Sequence, residues 1–150
     1  MGLWGKGHSI AFGDYDHDGS LDVALNNGGF EPGDLWPSLL LRNTGNSNHW
    51  LEVRLKAGPG TNGSAIGAKV RVIAGDLHQF QELKVGGTFG FSSLSLHFGL
   101  AQHARVDRIE VEWPNKRRTV TKLSDVAADQ AIEIRETDGA WLRVWAPAAR

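Results

Sequence analysis

The chain has 150 residues, a formal net charge of −1, six tryptophans and no cysteine. The lack of cysteine excludes disulfides, cysteine-bound zinc and thiol catalysis, and the near-neutral charge provides no basic field for nucleic acid. No apolar run approaches the length of a membrane span, so we expect no membrane insertion.

A run of acidic residues near the N-terminus has the spacing of a calcium-binding loop. Carboxylates recur at alternate positions from Asp14, and Gly19 follows the third of them. Carboxylate oxygens are hard ligands that Ca²⁺ prefers, and alternate spacing lets them converge on one point. Gly19 permits the sharp turn that such a loop needs. The predicted Ca²⁺ ligands are Asp14, Asp16, Asp18, the backbone carbonyl of Ser20, and Asp22.

The residues around this loop favour strands. The loop resembles the first half of an EF-hand loop, but its twelfth position is Leu25 where an EF-hand has glutamate. The flanking segments 9–12 and 21–25 are short and apolar, which is typical of strands. The sequence therefore predicts a Ca²⁺ loop between two strands. The alternative is a solvated Asp-Gly hairpin turn.

Residues 26–49 are rich in turn formers and include Trp36. An isolated tryptophan in such a segment either anchors the loop by packing or offers a flat face on which a ligand stacks. The polar segment 43–48 is predicted to be a linker to the body of the protein.

From His49 onward, apolar and polar residues alternate in short runs separated by glycine-rich or proline-containing turns. This period of two is the pattern of half-buried strands. The pattern predicts an all-β fold, an antiparallel β-sandwich or barrel-like module. The predicted strands are 49–56, 68–74, 77–85, 93–98, 105–113, 119–121 and 131–135.

One short helix is predicted at 124–130, where Ser124 is a candidate N-cap. The C-terminal segment 137–150 is predicted to be an extension that contains an extra strand.

Tryptophans in this extension provide the candidate ligand site. In a strand, Trp141, Arg143 and Trp145 would share one face, with two rigid rings flanking a hydrogen-bond donor, an arrangement suited to sugars. Trp50, on the polar face of its strand, and Trp36 are assigned to the same predicted site. Packing over the sandwich is the alternative function of these rings, whereas Trp113 is predicted to be core because it alternates with Ile109 and Val111.

No catalytic residue is predicted. Glu110 and Glu112 share a strand face, as paired carboxylates of glycosidases must, but Arg108 lies on the same face and indicates a charged outer surface. The histidines form no metal-binding pattern, and the serines lack the context of a nucleophile elbow.

The segment Phe12–Val23, with its alternating aspartates, resembles one FG-GAP/VCBS-type repeat, the blade unit of integrin-like β-propellers. The later Leu40-Leu41-Arg42-Asn43-Thr44-Gly45 is similar to the strand and turn that finish such a blade. The resemblance implies a propeller-blade-like β-hairpin and a calcium loop. Since propellers need several blades and the chain has one such motif, it also implies that the remainder of a larger propeller protein is a partner.

A second resemblance covers about residues 48–136. The segments Asn48–Leu51, Ile66–Val72, Ser95–Leu100, Val106–Pro114 and Ala131–Glu136 are similar, in order, to the ASPIC/UnbV domain, which commonly follows FG-GAP/VCBS repeats. The expected organisation is a repeat and linker at 1–47, an ASPIC/UnbV-like domain at 48–136, and the extension at 137–150. The resemblance implies an extracellular accessory or adhesive module.

Together these observations predict a calcium-binding extracellular or cell-surface module with a non-catalytic role, either carbohydrate binding or adhesion. The lack of cysteine is compatible with export, as in many bacterial secreted proteins, and Met1-Gly2-Leu3-Trp4 lacks the features of a signal peptide, so none is expected in this chain. A glycan is the expected ligand. The alternatives are a glycan-directed hydrolase and a purely structural or assembly module of a larger secreted protein.

Overall fold

A computed structural model describes residues 6–29, 32–86 and 93–147. The first five residues of the predicted repeat segment, its residues 30–31 and the last three residues of the extension lie outside the described part. The described residues form strands and turns without a helix, which confirms the all-β prediction. The strands are β1 Gly7–Gly13, β2 Asp22–Asn27, β3 Leu39–Leu41, β4 His49–Lys56, β5 Lys69–Ala74, β6 Leu77–Glu82, β7 Ser95–Ala101, β8 Arg105–Glu112, β9 Val120–Ala127, β10 Gln130–Arg135 and β11 Trp141–Trp145.

The chain divides into two compact units. One takes the described residues of Met1–Asn46 and Val85–Ser93, and the other those of Ser47–Lys84 and Leu94–Arg150. The first unit contains a three-stranded antiparallel sheet in the order β1-β2-β3. The aspartate segment connects β1 to β2, so the prediction that strands flank it is confirmed.

The second unit contains two four-stranded sheets, ordered β11-β10-β4-β7 and β6-β5-β8-β9. Neither sheet closes into a barrel, and both contribute to one hydrophobic core, which is the arrangement of a sandwich. All pairs are antiparallel except β10 with β4, which run parallel. The core members with the largest fully buried side chains are Trp113, Phe98, Leu51, Leu83, Leu100, Ile109, Ile132 and Ile134.

Alternation explains most of this core, and Trp113 lies in it as predicted, 1% exposed. Its indole Nε1 donates a hydrogen bond to Thr121 Oγ1 at 2.8 Å, which satisfies the polar end of the ring.

β4 departs from alternation, since Trp50, Leu51, Glu52 and Val53 are all buried. β4 is a central strand between β10 and β7, and Trp145 and His97 pack against Trp50 on the face that points away from the core.

The predicted helix at 124–130 is wrong. Residues up to Ala127 belong to β9, which pairs with β8 through Val126 opposite Val106, and β10 begins at Gln130. Asp129 adopts a φ of 58° in the intervening turn. A two-turn helix has little intrinsic stability, and the strand pairing buries Val126 completely, so tertiary pairing prevails over local preference.

The described residues include no helix long and apolar enough to cross a membrane.

Phe98 offers a direct test of the sandwich core. Its side chain is 0% exposed, whereas Phe80 on β6 is 52% exposed. We expect Phe98→Ala to lower the free energy of unfolding by about 3–5 kcal/mol, since it removes a buried ring and leaves a cavity. The free energy of unfolding of the second unit is measured by urea denaturation. Phe80→Ala is the matched control, expected to cost well under half as much. Equal losses for the two variants would contradict the assignment of Phe98 to the core.

Candidate functional site

The aspartate segment brings three carboxylates together. Asp14, Asp16 and Asp18 each place one carboxylate oxygen within 4.8 Å of the others, so the group could hold a metal ion. Asp14 and Asp18 are half-buried, and Asp16 is exposed. Three carboxylates at this separation repel one another unless positive charge or hydrogen-bond donors compensate them.

Backbone amides provide part of that compensation and give the loop its shape. Asp14 accepts hydrogen bonds from the amides of Asp18, at 3.0 Å, and Gly19, at 2.9 Å. The Asp18 carboxylate accepts from the amide of Ser20 at 2.8 Å. His17 and Gly19 adopt positive φ angles of 58° and 93°, the second as the sequence predicts. These local bonds orient the carboxylates of the loop.

Asp22 occupies a different position from the other predicted ligands. It is 1% exposed and lies outside the three-carboxylate group. Its Oδ1 accepts from the amide of Asn43 at 2.7 Å, and its Oδ2 accepts from the amide of Tyr15 at 3.1 Å. The side chain thus ties the loop to the segment after β3. Ligation by Asp22 and by the Ser20 carbonyl stays a prediction.

Arg42 was missed by sequence reasoning. Its Nε lies 2.7 Å from Asp16 Oδ2, and its Nη2 lies 3.7 Å from Asp18 Oδ2. Attraction by the Asp16 carboxylate raises the pKa of Arg42 above its usual value. The only sequence signal was its place in the blade-finishing motif after β3. Arg42 is therefore a tethered cation beside two of the three carboxylates that could hold a metal ion.

The predicted tryptophan face is divided by a β-bulge. Arg143 pairs with Ile132, but Trp145 pairs with Ala131, and the register shifts between these pairs. Because paired residues on neighbouring strands share a face, Trp145 lies on the opposite face from Arg143. Trp141, paired with Ile134, stays on the face of Arg143. The prediction that all three side chains share a face is therefore wrong.

Trp145 packs instead against Trp50. Their ring centroids lie 5.2 Å apart with the planes tilted by 35°, and His97 stacks on Trp50 at 5.6 Å and 7°. Trp50 is 7% exposed, so packing accounts for most of its surface. Arg143 donates from Nε to Gln130 Oε1 at 2.6 Å. Trp36, in the first unit, and Trp141 expose 48% and 38% of their surfaces, respectively.

The acidic pair on β8 belongs to an ion-paired surface. Glu110 lies 3.4 Å from Lys122 and 3.6 Å from Arg108. Glu112 lies 3.2 Å from Arg118. This agrees with a charged outer face.

Glu136 organises the loops at one end of the second unit, and sequence reasoning assigned it no role. Its Oε1 accepts hydrogen bonds from Thr61 Oγ1 and Asn115 Nδ2, both at 2.7 Å. Its Oε2 accepts from the amide of Gly58 at 2.6 Å. The carboxylate therefore joins three chain segments that are far apart in sequence. Such long-range contacts leave no local pattern that sequence reasoning could detect.

A cleft of about 1110 Å³ opens beside Glu136. Its lining residues are Gly58, Pro59, Gly60, Asn115, Lys116, Arg117, Thr119, Val120, Thr121, Lys122, Glu136, Thr137, Asp138 and Gly139.

The hydrogen bonds to Glu136 predict a pH dependence of stability. Burial raises the pKa of Glu136, but the bonds from Thr61, Gly58 and Asn115 lower it, and the net pKa lies below the usual value. The ionised form is thus favoured in the folded state. Its contribution to the free energy of unfolding is complete above the pKa of an unfolded glutamate, about 4.3, and is lost as pH falls through the lower folded pKa.

We expect Glu136→Gln to be less stable than wild type at pH 7 by about 2 kcal/mol, because charge-assisted bonds are lost. The difference should shrink as the pH falls below about 4, where the wild-type carboxylate becomes protonated. Urea unfolding at a series of pH values measures both effects. Glu133→Gln, on β10, is the control, and we expect it to change the free energy of unfolding less than Glu136→Gln at pH 7. A difference from wild type that is constant with pH would contradict the role of the Glu136 charge.

Comparison with known proteins identifies the second unit. The family model described as "ASPIC and UnbV" matches residues 58–140. The match begins and ends later than the predicted 48–136 segment, and it takes in the cleft, whose lining residues run from Gly58 to Gly139. No curated protein matches the chain. Since the match spans more than half of the 150 residues, the chain belongs to the ASPIC and UnbV family.

Proposed function

We propose that this chain is a calcium-binding accessory module of a larger extracellular or cell-surface protein, and that its role is non-catalytic binding of carbohydrate. The observation that carries the calcium part is the convergence of Asp14, Asp16 and Asp18 within 4.8 Å. Membership of the ASPIC and UnbV family is consistent with an accessory module of a larger protein.

The chemistry of the three-carboxylate group favours calcium. All three donors are hard carboxylate oxygens, and no soft or nitrogen ligand belongs to the group. Ca²⁺ accepts a variable number and arrangement of oxygen ligands, whereas Mg²⁺ demands a near-ideal octahedron. When bound, Ca²⁺ would add positive charge beside Asp16 and Asp18, the two carboxylates that the Arg42 guanidinium already pairs with. Its role here is structural stabilisation of the loop.

Calcium should therefore raise the melting temperature of the first unit. A cation that binds the folded form alone adds about 2.7 kcal/mol of stability at a hundredfold excess over its Kd. Calorimetry with and without millimolar Ca²⁺ measures the shift. Asp16→Ala should abolish the shift, and Asp76→Ala, whose side chain is 98% exposed, should preserve it. If Ca²⁺ does not raise the melting temperature of the wild type, the loop is a solvated hairpin turn and not a calcium site.

Exposed aromatic surface supports carbohydrate binding. Trp141 lies on edge strand β11 with 38% of its surface exposed, and Arg143 lies on the same face. A rigid indole offers its face to the C–H groups of a sugar ring, while a neighbouring donor serves the hydroxyls. Trp50 and Trp145 do not extend this face, because Trp145 lies on the opposite face of β11 from Arg143 and packs against Trp50.

A glycan-array screen with and without EDTA tests this part of the proposal. We expect a hit that survives EDTA and is lost in Trp141→Ala. Leu142→Ala is the matched control, since Leu142 is 43% exposed but pairs with Glu133 and so lies on the other face. Binding that is lost with EDTA alone would place the ligand on the aspartate loop instead. A blank array would contradict carbohydrate binding.

A structural or assembly role is the second candidate, because the first unit exposes apolar side chains on both faces of its sheet. Ile10 and Phe12 on one face are 57% and 58% exposed, and Leu40 on the other is 57% exposed. A sheet that is apolar on both faces is typical of one that neighbouring elements cover. Further propeller blades of a larger protein are the proposed cover. Self-association of the chain, measured by ultracentrifugation together with a blank array, would favour this candidate.

The hydrolase alternative has little support. The carboxylates considered for it, Glu110 and Glu112, each lie within 4 Å of a basic side chain on the sheet surface.

A further inference from the structure

The cleft beside Glu136 is built from three loops of the second unit. They are the glycine-rich turn at 58–60, the β8–β9 turn at 115–117 and the β10–β11 turn at 137–139, with the start of β9 between them. The cleft measures about 1110 Å³, slightly above the roughly 300–1,000 Å³ that is usual for small-molecule sites, which leaves room for an oligomer. Glu136 holds two of these loops in place through its bonds to Gly58 and Asn115.

The acidic groups in the cleft are already compensated by the protein. Both oxygens of Glu136 accept hydrogen bonds from Thr61, Asn115 and Gly58. Asp138 lies 3.1 Å from Arg135 and accepts a bond from the amide of Ala140. Neither carboxylate needs a cationic ligand. Asp138 is thus paired with Arg135, and Glu136 keeps its charge while neutral hydrogen-bond donors occupy both of its oxygens.

The basic groups are compensated much less. In the described part of the chain, Lys116 and Arg117 form no ion pair, and both are exposed at the cleft. Lys122 lies 3.4 Å from Glu110, but its side chain is 65% exposed. The positive charge of the β8–β9 turn thus points to an anionic ligand. Arg118, the next residue, lies 3.2 Å from Glu112 and does not line the cleft.

The rest of the cleft surface suits a chain of sugar rings. Thr137 and Thr119 contribute hydroxyls, and Val120, 51% exposed, contributes an apolar patch. Gly60 has a φ of 96°, and a Cβ placed on it would meet nothing within 4 Å, so a ligand can approach the backbone there. Hydroxyls and backbone groups can exchange hydrogen bonds with sugar hydroxyls, while the apolar side chain contacts sugar C–H groups.

We propose that this cleft binds a polysaccharide that carries carboxylate groups, with Lys116 and Arg117 pairing to the acid groups. This inference rests on the proposed carbohydrate function and adds a second site with its own ligand class, because neither Trp141 nor Arg143 lines the cleft. A nucleic acid is disfavoured because the cleft has no aromatic lining for bases and the chain has a net charge of −1.

Titration calorimetry with an oligogalacturonate in EDTA tests the proposal without any contribution from calcium. The methyl-esterified oligomer is the matched ligand, since it keeps the backbone and loses the charge. We expect the acid form to bind, the ester to bind at least about tenfold more weakly, and the affinity to fall as salt rises. Lys116→Gln/Arg117→Gln should weaken binding of the acid form about tenfold. Arg118→Gln removes the same charge from the same turn and should leave binding nearly unchanged.

Four outcomes would overturn the proposal in different ways. Equal binding of acid and ester would show that the chain binds carbohydrate without recognising its carboxylate groups. No binding of any oligomer, together with a blank glycan array, would contradict both this proposal and the proposed function. Displacement of the acid oligomer by equimolar inorganic phosphate would assign the cleft to a small anion. Tighter binding of a single-stranded oligonucleotide of equal charge would assign it to nucleic acid.

Discussion

The burial of two apolar sheet faces against each other is the constraint on which the second unit depends. Leu51 and Phe98 from one sheet and Val72 and Ile109 from the other lie in one core with almost no exposed surface. Burial of this kind contributes about 25 cal/mol for each Å² of apolar surface. Since the strands that supply the core are distant in sequence, their loops are brought together at the ends of the sandwich. The cleft is one product of that arrangement.

Charge compensation determines what each loop region can bind. Three hydrogen-bond donors occupy the oxygens of the Glu136 carboxylate, so this side chain holds loops together. Among the described residues, it forms no ion pair with Lys116 or Arg117, whose charges stay available to a ligand. The aspartate loop shows the reverse balance. Its three converging carboxylates exceed the positive charge that Arg42 provides, so this group could hold a metal ion. The first unit thereby contains the proposed cation site, and the cleft of the second unit presents the exposed Lys116 and Arg117 to the proposed anionic ligand.

The two units also differ in how they bury apolar surface. The second unit has a closed core, whereas the three-stranded sheet of the first unit leaves Ile10, Phe12 and Leu40 largely exposed. A hydrophobic side chain of this size gains about 1.5–3 kcal/mol on full burial. The first unit therefore has more to gain from a neighbouring element. This is the physical basis for proposing a larger protein around it.

The sequence by itself determined the elements that depend on local pattern. Period-two alternation predicted β4 at 49–56 without error, the acidic spacing predicted the converging aspartates, and family motifs located the ASPIC and UnbV segment. Only the tertiary structure decided the features that depend on non-local pairing. A bulge against Ala131 turned Trp145 away from Arg143, pairing with β8 made 124–127 a strand, and β10 aligned parallel to β4. Glu136 and Arg42 gained their roles in the same way, because hydrogen bonds and ion pairs between distant residues have no periodicity along the chain.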